Sequence, residues 1–180
     1  MSKIGRKPID ISKVAISVAG NTVCIKGTKV EFNHELPACL IPSVDTATKK
    51  MTLGAVENTR EVRTLWGMHR AVLANKVQGA GVGLEQRVKL VGLGYKGQVV
   101  GSQIIFTVGF SHKVEVAIPA GVTVEIDKTG QTITVRGADR FVIGNFCDAM
   151  RSVRPPEPYK GTGIMLEGEV IIRKAGKTKS

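Results

Sequence analysis

Apolar and polar residues alternate over short stretches in both halves of the chain, and in each half a helical period follows. In the second half, Val124 and Ile126 alternate with Thr123 and Glu125, Thr129-Gly130 supplies a turn, and Ile133 and Val135 alternate with Thr132, Thr134 and Arg136. A period of two on either side of a turn predicts a hairpin with one apolar face. Asp139 stands as a cap ahead of Val142, Phe146, Ala149, Met150 and Val153, whose spacing predicts a helix. That helix must stop before Pro155, because proline drives the residue ahead of it out of helical geometry. The segment "EVIIRK", residues 169–174, predicts a returning strand.

The first half reads the same way. Val14, Ile16 and Val18 face one side, Val23 and Ile25 follow on the next strand, and "KVEF" (29–32) and "MTLGAV" (51–56) add strand signals. Asn58, with Glu61 three residues on, has the pattern of a capping box. Val62, Leu65, Trp66, His69, Val72, Leu73 and Val77 form the stripe of a long helix that Gly79 is expected to end. Between the halves, "QRVKLVGL", "QVVGSQIIFTVGF" and "HKVEVAIP" predict antiparallel strands jointed by glycines.

Two stretches recur. "GNTVCIKG" at 20–27 resembles "GQTITVRG" at 130–137, and "GAGVGLEQRV" at 79–88 resembles "GTGIMLEGEV" at 161–170. The offsets are 110 and 82, which a longer middle in the first copy would reconcile. The expected fold is therefore α+β: two tandem copies of a small antiparallel sheet packed against one main helix, related by duplication. The expected domains are residues 1–82 and 83–180, the second carrying a basic tail at 173–180.

Charge changes this picture most. The 180-residue chain carries 26 Lys and Arg against 15 Asp and Glu, a formal +11. The excess is spread, +6 in residues 1–83 and +5 in 84–180. A basic excess attracts polyanions, of which nucleic acid is the usual one. Aromatic residues make up only 4% of the chain, too few for a protein that works by stacking many single-stranded bases. A basic surface with few aromatics suits phosphate and 2′-hydroxyl contacts on folded RNA.

Little else suggests chemistry. Cys24, Cys39 and Cys147 are odd in number and show no CxxC spacing, so buried thiols are expected and no metal site. No apolar stretch of signal or membrane-span length is present, and a soluble, unexported cytoplasmic chain is expected. "GLGYKG" (92–97) matches a dinucleotide-loop spacing, but that site needs a helix next, and the strand-like "QVVGSQIIF" follows. His34, His69 and His112 are isolated in sequence. No catalytic residue, cofactor or small-molecule substrate is assigned.

The remaining motif is "RPPEPYKGTG", residues 154–163. Pro155, Pro156 and Pro158 lower the entropy lost when a loop becomes ordered. Gly161 and Gly163 allow close backbone approach. Tyr159 can stack, and Lys160 and Thr162 can bind phosphate. Arg151 and Arg154 at the helix end could instead complement its dipole. With Arg173, Lys174, Lys177 and Lys179 in the tail, the predicted RNA-binding set is Arg154, Pro158, Tyr159, Lys160, Gly161, Thr162, Gly163, Arg173, Lys174, Lys177 and Lys179. Arg6, Lys7 and Arg70 are weaker candidates. Two other readings use the same stretches: the proline loop as a protein-docking module, and "GLGYKG" as part of a cofactor enzyme.

"RPPEPYKGTGI" resembles the signature of the bacterial ribosomal protein L6 family, which typically reads PEPYKGKGI, with Thr162 standing here where lysine is common. "MSKIGRKPI", "LVGLGYKGQ" and "GFSHKVEVAIP" resemble it too, so the resemblance covers essentially the whole chain. It implies two tandem α+β domains and no enzymatic activity. It further implies binding to large-subunit (23S) ribosomal RNA, mainly by the second domain, near the sarcin–ricin loop and stalk base. Neighbouring ribosomal proteins and nearby translation factors would be its other partners, with no membrane and no cofactor.

Overall fold

A computed structural model describes residues 2–28 and 30–177. The chain divides after Gly83 into two compact units. The first contains β1 (Ile9–Asp10), β2 (Ala15–Ala19), β3 (Thr22–Lys26), β4 (Glu31–Glu35), β5 (Leu40–Asp45), β6 (Lys50–Ala55) and α1 (Arg60–Gly81). The second contains β7 (Leu84–Val91), β8 (Lys96–Val100), β9 (Gln103–Thr107), β10 (Val114–Ala117), β11 (Val122–Ile126), β12 (Thr132–Gly137), α2 (Arg140–Val153) and β13 (Gly163–Leu166). Every strand pairing among the described residues is antiparallel.

The duplication is present, in a different register from one of the two sequence matches. The first unit pairs its strands as β2-β3-β4 and β1-β6-β5; the second pairs them as β8-β9-β10 and β7-β12-β11, with β13 added beyond β7. Each strand of the first unit thus has its counterpart six strands later, and α1 corresponds to α2. Met51, flanked by Ile9 and Val44, occupies the place of Ile133, flanked by Val88 and Ile126. Met51 and Ile133 are 82 positions apart, the offset of the "GxGxxLE" match. The 110-residue match joins β3 to β12, which hold different places in the fold. Both are strands that follow a tight turn and bury alternate residues, so similar demands produced similar sequences.

Each unit has its own core. In the first, Val23, Ile25, Met51 and Leu53 from the sheets meet Val62, Trp66, Leu73 and Val77 from α1. Trp66 is buried without penalty because its Nε1 donates to the Leu53 carbonyl at 2.9 Å. In the second, Val88, Leu90, Ile104, Phe106, Ile133, Val135 and Ile164 pack on Ile143, Phe146 and Met150 of α2. Fully burying one such side chain stabilises by roughly 1.5–3 kcal/mol. Cys147 lies in this core, where burial pushes its thiol up to about 11; Cys24 and Cys39 are half-buried, and all three are free.

Helix ends depart from expectation in the first unit. The cap of α1 is Thr59, not Asn58: its hydroxyl accepts from the Val62 amide at 3.3 Å. Gly79 lies inside α1, which continues to Gly81. The Gln78 carbonyl then accepts from both Val82 and Gly83, and Gly83 takes a positive φ of 86°. Gly83, not Gly79, is the residue with the backbone freedom to turn the chain out of the helix. In the second unit the expectations hold: Asp139 caps α2 through the Phe141 amide, and α2 stops at Val153.

Candidate nucleic-acid interface

The loop after α2 is a braced turn. Arg154 ends the helix, and its carbonyl accepts from Ile164 at 2.8 Å, so the loop starts and closes at one point. Within it, Glu157 donates its amide to Thr162 and accepts from Gly161, both at 2.9 Å. The Thr162 hydroxyl donates to the Glu157 carboxylate at 3.3 Å. Gly163 is buried at φ 147°, and a β-carbon there would lie 2.6 Å from Pro156 Cα and 2.7 Å from the Pro155 carbonyl oxygen. Only glycine fits beneath the two prolines. Gly161, at φ 71°, sits under the Arg173 guanidinium. Both glycines therefore admit parts of this chain itself.

The predicted strand at 169–174 is absent. β13 is the preceding segment, Gly163–Leu166, paired with β7 through Ile164↔Leu90 and Met165↔Lys89. The chain then turns at Gly168, which has φ 86°. Glu169 fixes this turn: its carboxylate accepts from the Leu166 amide and takes both Nε and Nη2 of Arg151, the latter at 2.6 Å. Arg151 holds the Glu169 carboxyl below the ordinary glutamate range. Beyond the turn, Val170 and Ile172 are 88% and 83% exposed. The β-branched run Val170-Ile171-Ile172 has strand-like composition, but no neighbouring strand among the described residues offers it a ladder. Instead the Lys174 amide donates to the Pro158 carbonyl at 2.9 Å, which ties the tail to the loop.

These contacts sort the predicted RNA-binding residues. Tyr159 is 54% exposed, and Lys160, Arg173, Lys174 and Lys177 are exposed without a carboxylate partner among the described residues. The loop and tail tether bring Lys160, Arg173 and Lys174 together. Pro158, Gly161, Thr162 and Gly163 form the frame. Arg154 is half-buried, with its guanidinium 5.0 Å above the Phe110 ring. Lys179 lies outside the described residues. The nearby acids at the root of the tail are already occupied: Glu167 faces Lys89 and Arg87, and Glu169 faces Arg151. Of the weaker candidates, Arg70 is committed to structure, donating to the carbonyls of Lys7 and Pro8 at 2.9 and 3.1 Å.

Other candidate chemistry resolves in structural terms. "GLGYKG" leads into β8, and the Tyr95 ring covers Gly92. His34 and His69 are not isolated; His34 Nε2 and His69 Nδ1 lie 3.0 Å apart across β4 and α1. No group of three metal-ligating side chains occurs among the described residues. His112, isolated in sequence, is not isolated in the fold: its ring stacks on Phe110, which sequence reasoning passed over, with centroids 5.7 Å apart. Their spacing on a glycine-led turn was the available signal.

The chain is thus a duplicated α+β protein whose second unit gathers cations with no carboxylate partner among the described residues on a hydrogen-bonded loop and its tethered tail. Residues 91–167 match the family model described as Ribosomal protein L6. Similar proteins include the large ribosomal subunit protein uL6 of Synechococcus sp. (strain RCC307), 40% identical over 99% of this chain and 98% of the relative. The uL6 of Nostoc sp. (strain PCC 7120 / SAG 25.82 / UTEX 2576) is also 40% identical, over 99% of this chain and 97% of its own. The chain belongs to the ribosomal protein L6 family.

Proposed function

We propose that this protein holds large-subunit ribosomal RNA through the 154–163 loop and the tail from Arg173, with the second unit as its main RNA-binding part. As a member of its family, it is a structural constituent of the large ribosomal subunit and not an enzyme; its partners are ribosomal RNA and other ribosomal proteins. The proposed place is near the sarcin–ricin loop and the stalk base, by the translation-factor site. The observation that carries this reading is an asymmetry of charge. Acids at the root of the tail are neutralised within the protein, whereas Lys160, Arg173, Lys174 and Lys177 have no internal partner among the described residues.

Cations held ready by a framed loop neutralise phosphates with little further ordering, and each releases counterions from the RNA. Binding of the full chain to a large-subunit RNA fragment across a salt series tests this. Five contacts, from Arg154, Lys160, Arg173, Lys174 and Lys177, give a slope of log K against log salt of about −4 to −5, by the duplex value of about −0.9 per phosphate. A nearly flat slope overturns the reading.

A further inference from the structure

The connection between β9 and β10 carries an aromatic pair that no core claims. Phe110 is 39% exposed, although Val108 before it is fully buried. Its ring stacks on His112 with centroids 5.7 Å apart and planes only 15° from parallel. The Arg154 guanidinium lies 5.0 Å over the same Phe110 ring. His112 and Lys113 are exposed, and neither makes a hydrogen bond or ion pair among the described residues. The loop is held from below: Gly109, at φ 78°, leaves space that the Tyr95 ring closes, with Tyr95 Cε1 and Oη 3.4 Å from where a β-carbon would stand. Arg154 joins the pair to the proline-glycine loop, since it is the residue that caps the C-terminal end of α2 and the first of that loop.

Phenylalanine left outside a core forgoes the burial that normally places it. A parallel pair of flat rings beside a guanidinium presents a flat π-face, and such faces take nucleobases by stacking, with a cation adding to the attraction. A base paired inside a duplex has no free face to offer; one unstacked from a loop or bulge has. We infer that Phe110, His112 and Arg154 form a platform for one unpaired nucleobase of the bound RNA, with Lys113 beside it in sequence for an adjoining phosphate. This inference rests on the RNA-binding reading above and adds a contact that recognises base exposure in addition to charge.

The test uses the full chain and a large-subunit ribosomal RNA fragment. Phe110→Trp adds one exposed indole to a protein whose only tryptophan, Trp66, is buried. Saturating RNA is expected to quench the added emission by about half or more, because a stacked base removes the excited state. His112→Ala, a change at the surface, is expected to weaken binding about tenfold without altering the salt slope, whereas Lys160→Ala reduces the slope by about 0.9. RNA that binds while the new emission stays unchanged, or His112→Ala binding like wild type, overturns the platform and leaves the RNA reading intact. Quenching by large-subunit proteins but not by RNA overturns it in favour of a protein contact. Failure of the wild-type chain to bind RNA overturns both.

Discussion

Arg151 grips Glu169 with two nitrogens, Nη2 at 2.6 Å from Oε1 and Nε at 3.2 Å from Oε2, while Oε2 also accepts the Leu166 amide at 3.1 Å. One carboxylate thereby joins the last turn of α2, the end of β13 and the start of the tail. Glu169→Gln keeps the shape but loses the charge-assisted pair. It is expected to destabilise the protein by about 1 kcal/mol, since the pair is partly exposed. The folded Glu169 binds its proton less readily than the unfolded one, so this increment is complete above the ordinary glutamate range and lost as the pH falls below it. Thermal melting of both forms at neutral and acidic pH checks this: the gap between them closes in acid.

His34 behaves in the opposite chemical sense with the same outcome. Burial, aided by Lys76 and His69, lowers its pKa from the ordinary 6.5 to about 4. Between those values the unfolded chain binds a proton that the folded chain refuses, so acid favours unfolding. Stability is complete above about pH 6.5 and declines toward pH 4, by about 1–2 kcal/mol after allowing for partial exposure. His34→Gln should make this decline shallower, with part of it left by His69, whose pKa burial also lowers. The check is melting temperature against pH; equal slopes for both proteins between pH 6.5 and 4 would count against it.

The two loop glycines should differ sharply on substitution. Gly163→Ala puts a methyl group against proline backbone that cannot yield. A loss of about 3 kcal/mol or more is expected, with weaker RNA binding. Gly161→Ala meets only the mobile end of Arg173 and costs about 1–2 kcal/mol for its positive φ. Denaturant unfolding of the two variants measures the ranking.

The cap of α1 gives a direct comparison of neighbours. Thr59→Ala is expected to cost about 1 kcal/mol, and Asn58→Ala almost nothing, because only Thr59 reaches an orphan amide. Equal effects in chemical denaturation would return the cap to Asn58.

What could be read from the chain alone were features set by local chemistry. Asp139, the stripe from Phe146 to Val153 and the Pro155 stop are all decided within a few residues, and α2 follows them. Features decided across the sheet were less visible. β5 contains Pro42, which removes a donor and hides the strand, yet β5 is tolerated as the outer strand of β1-β6-β5. "EVIIRK" has a strand pattern and no partner, because Gly168 and Glu169 turn it away from β7. For the candidate site, Lys160 and Arg173 were legible as charges, and the backbone bond joining Lys174 to Pro158 was not, since any non-proline residue at 174 could make it.

That bond has an implication for how the region can drift. The tether uses the main chain of residue 174, so its side chain is free to vary without loosening the tail. Lys174→Ala would delete one cation and keep the geometry, whereas Lys174→Pro would abolish the geometry by removing the amide proton. Mutation can therefore retune the electrostatic strength of this surface independently of its architecture.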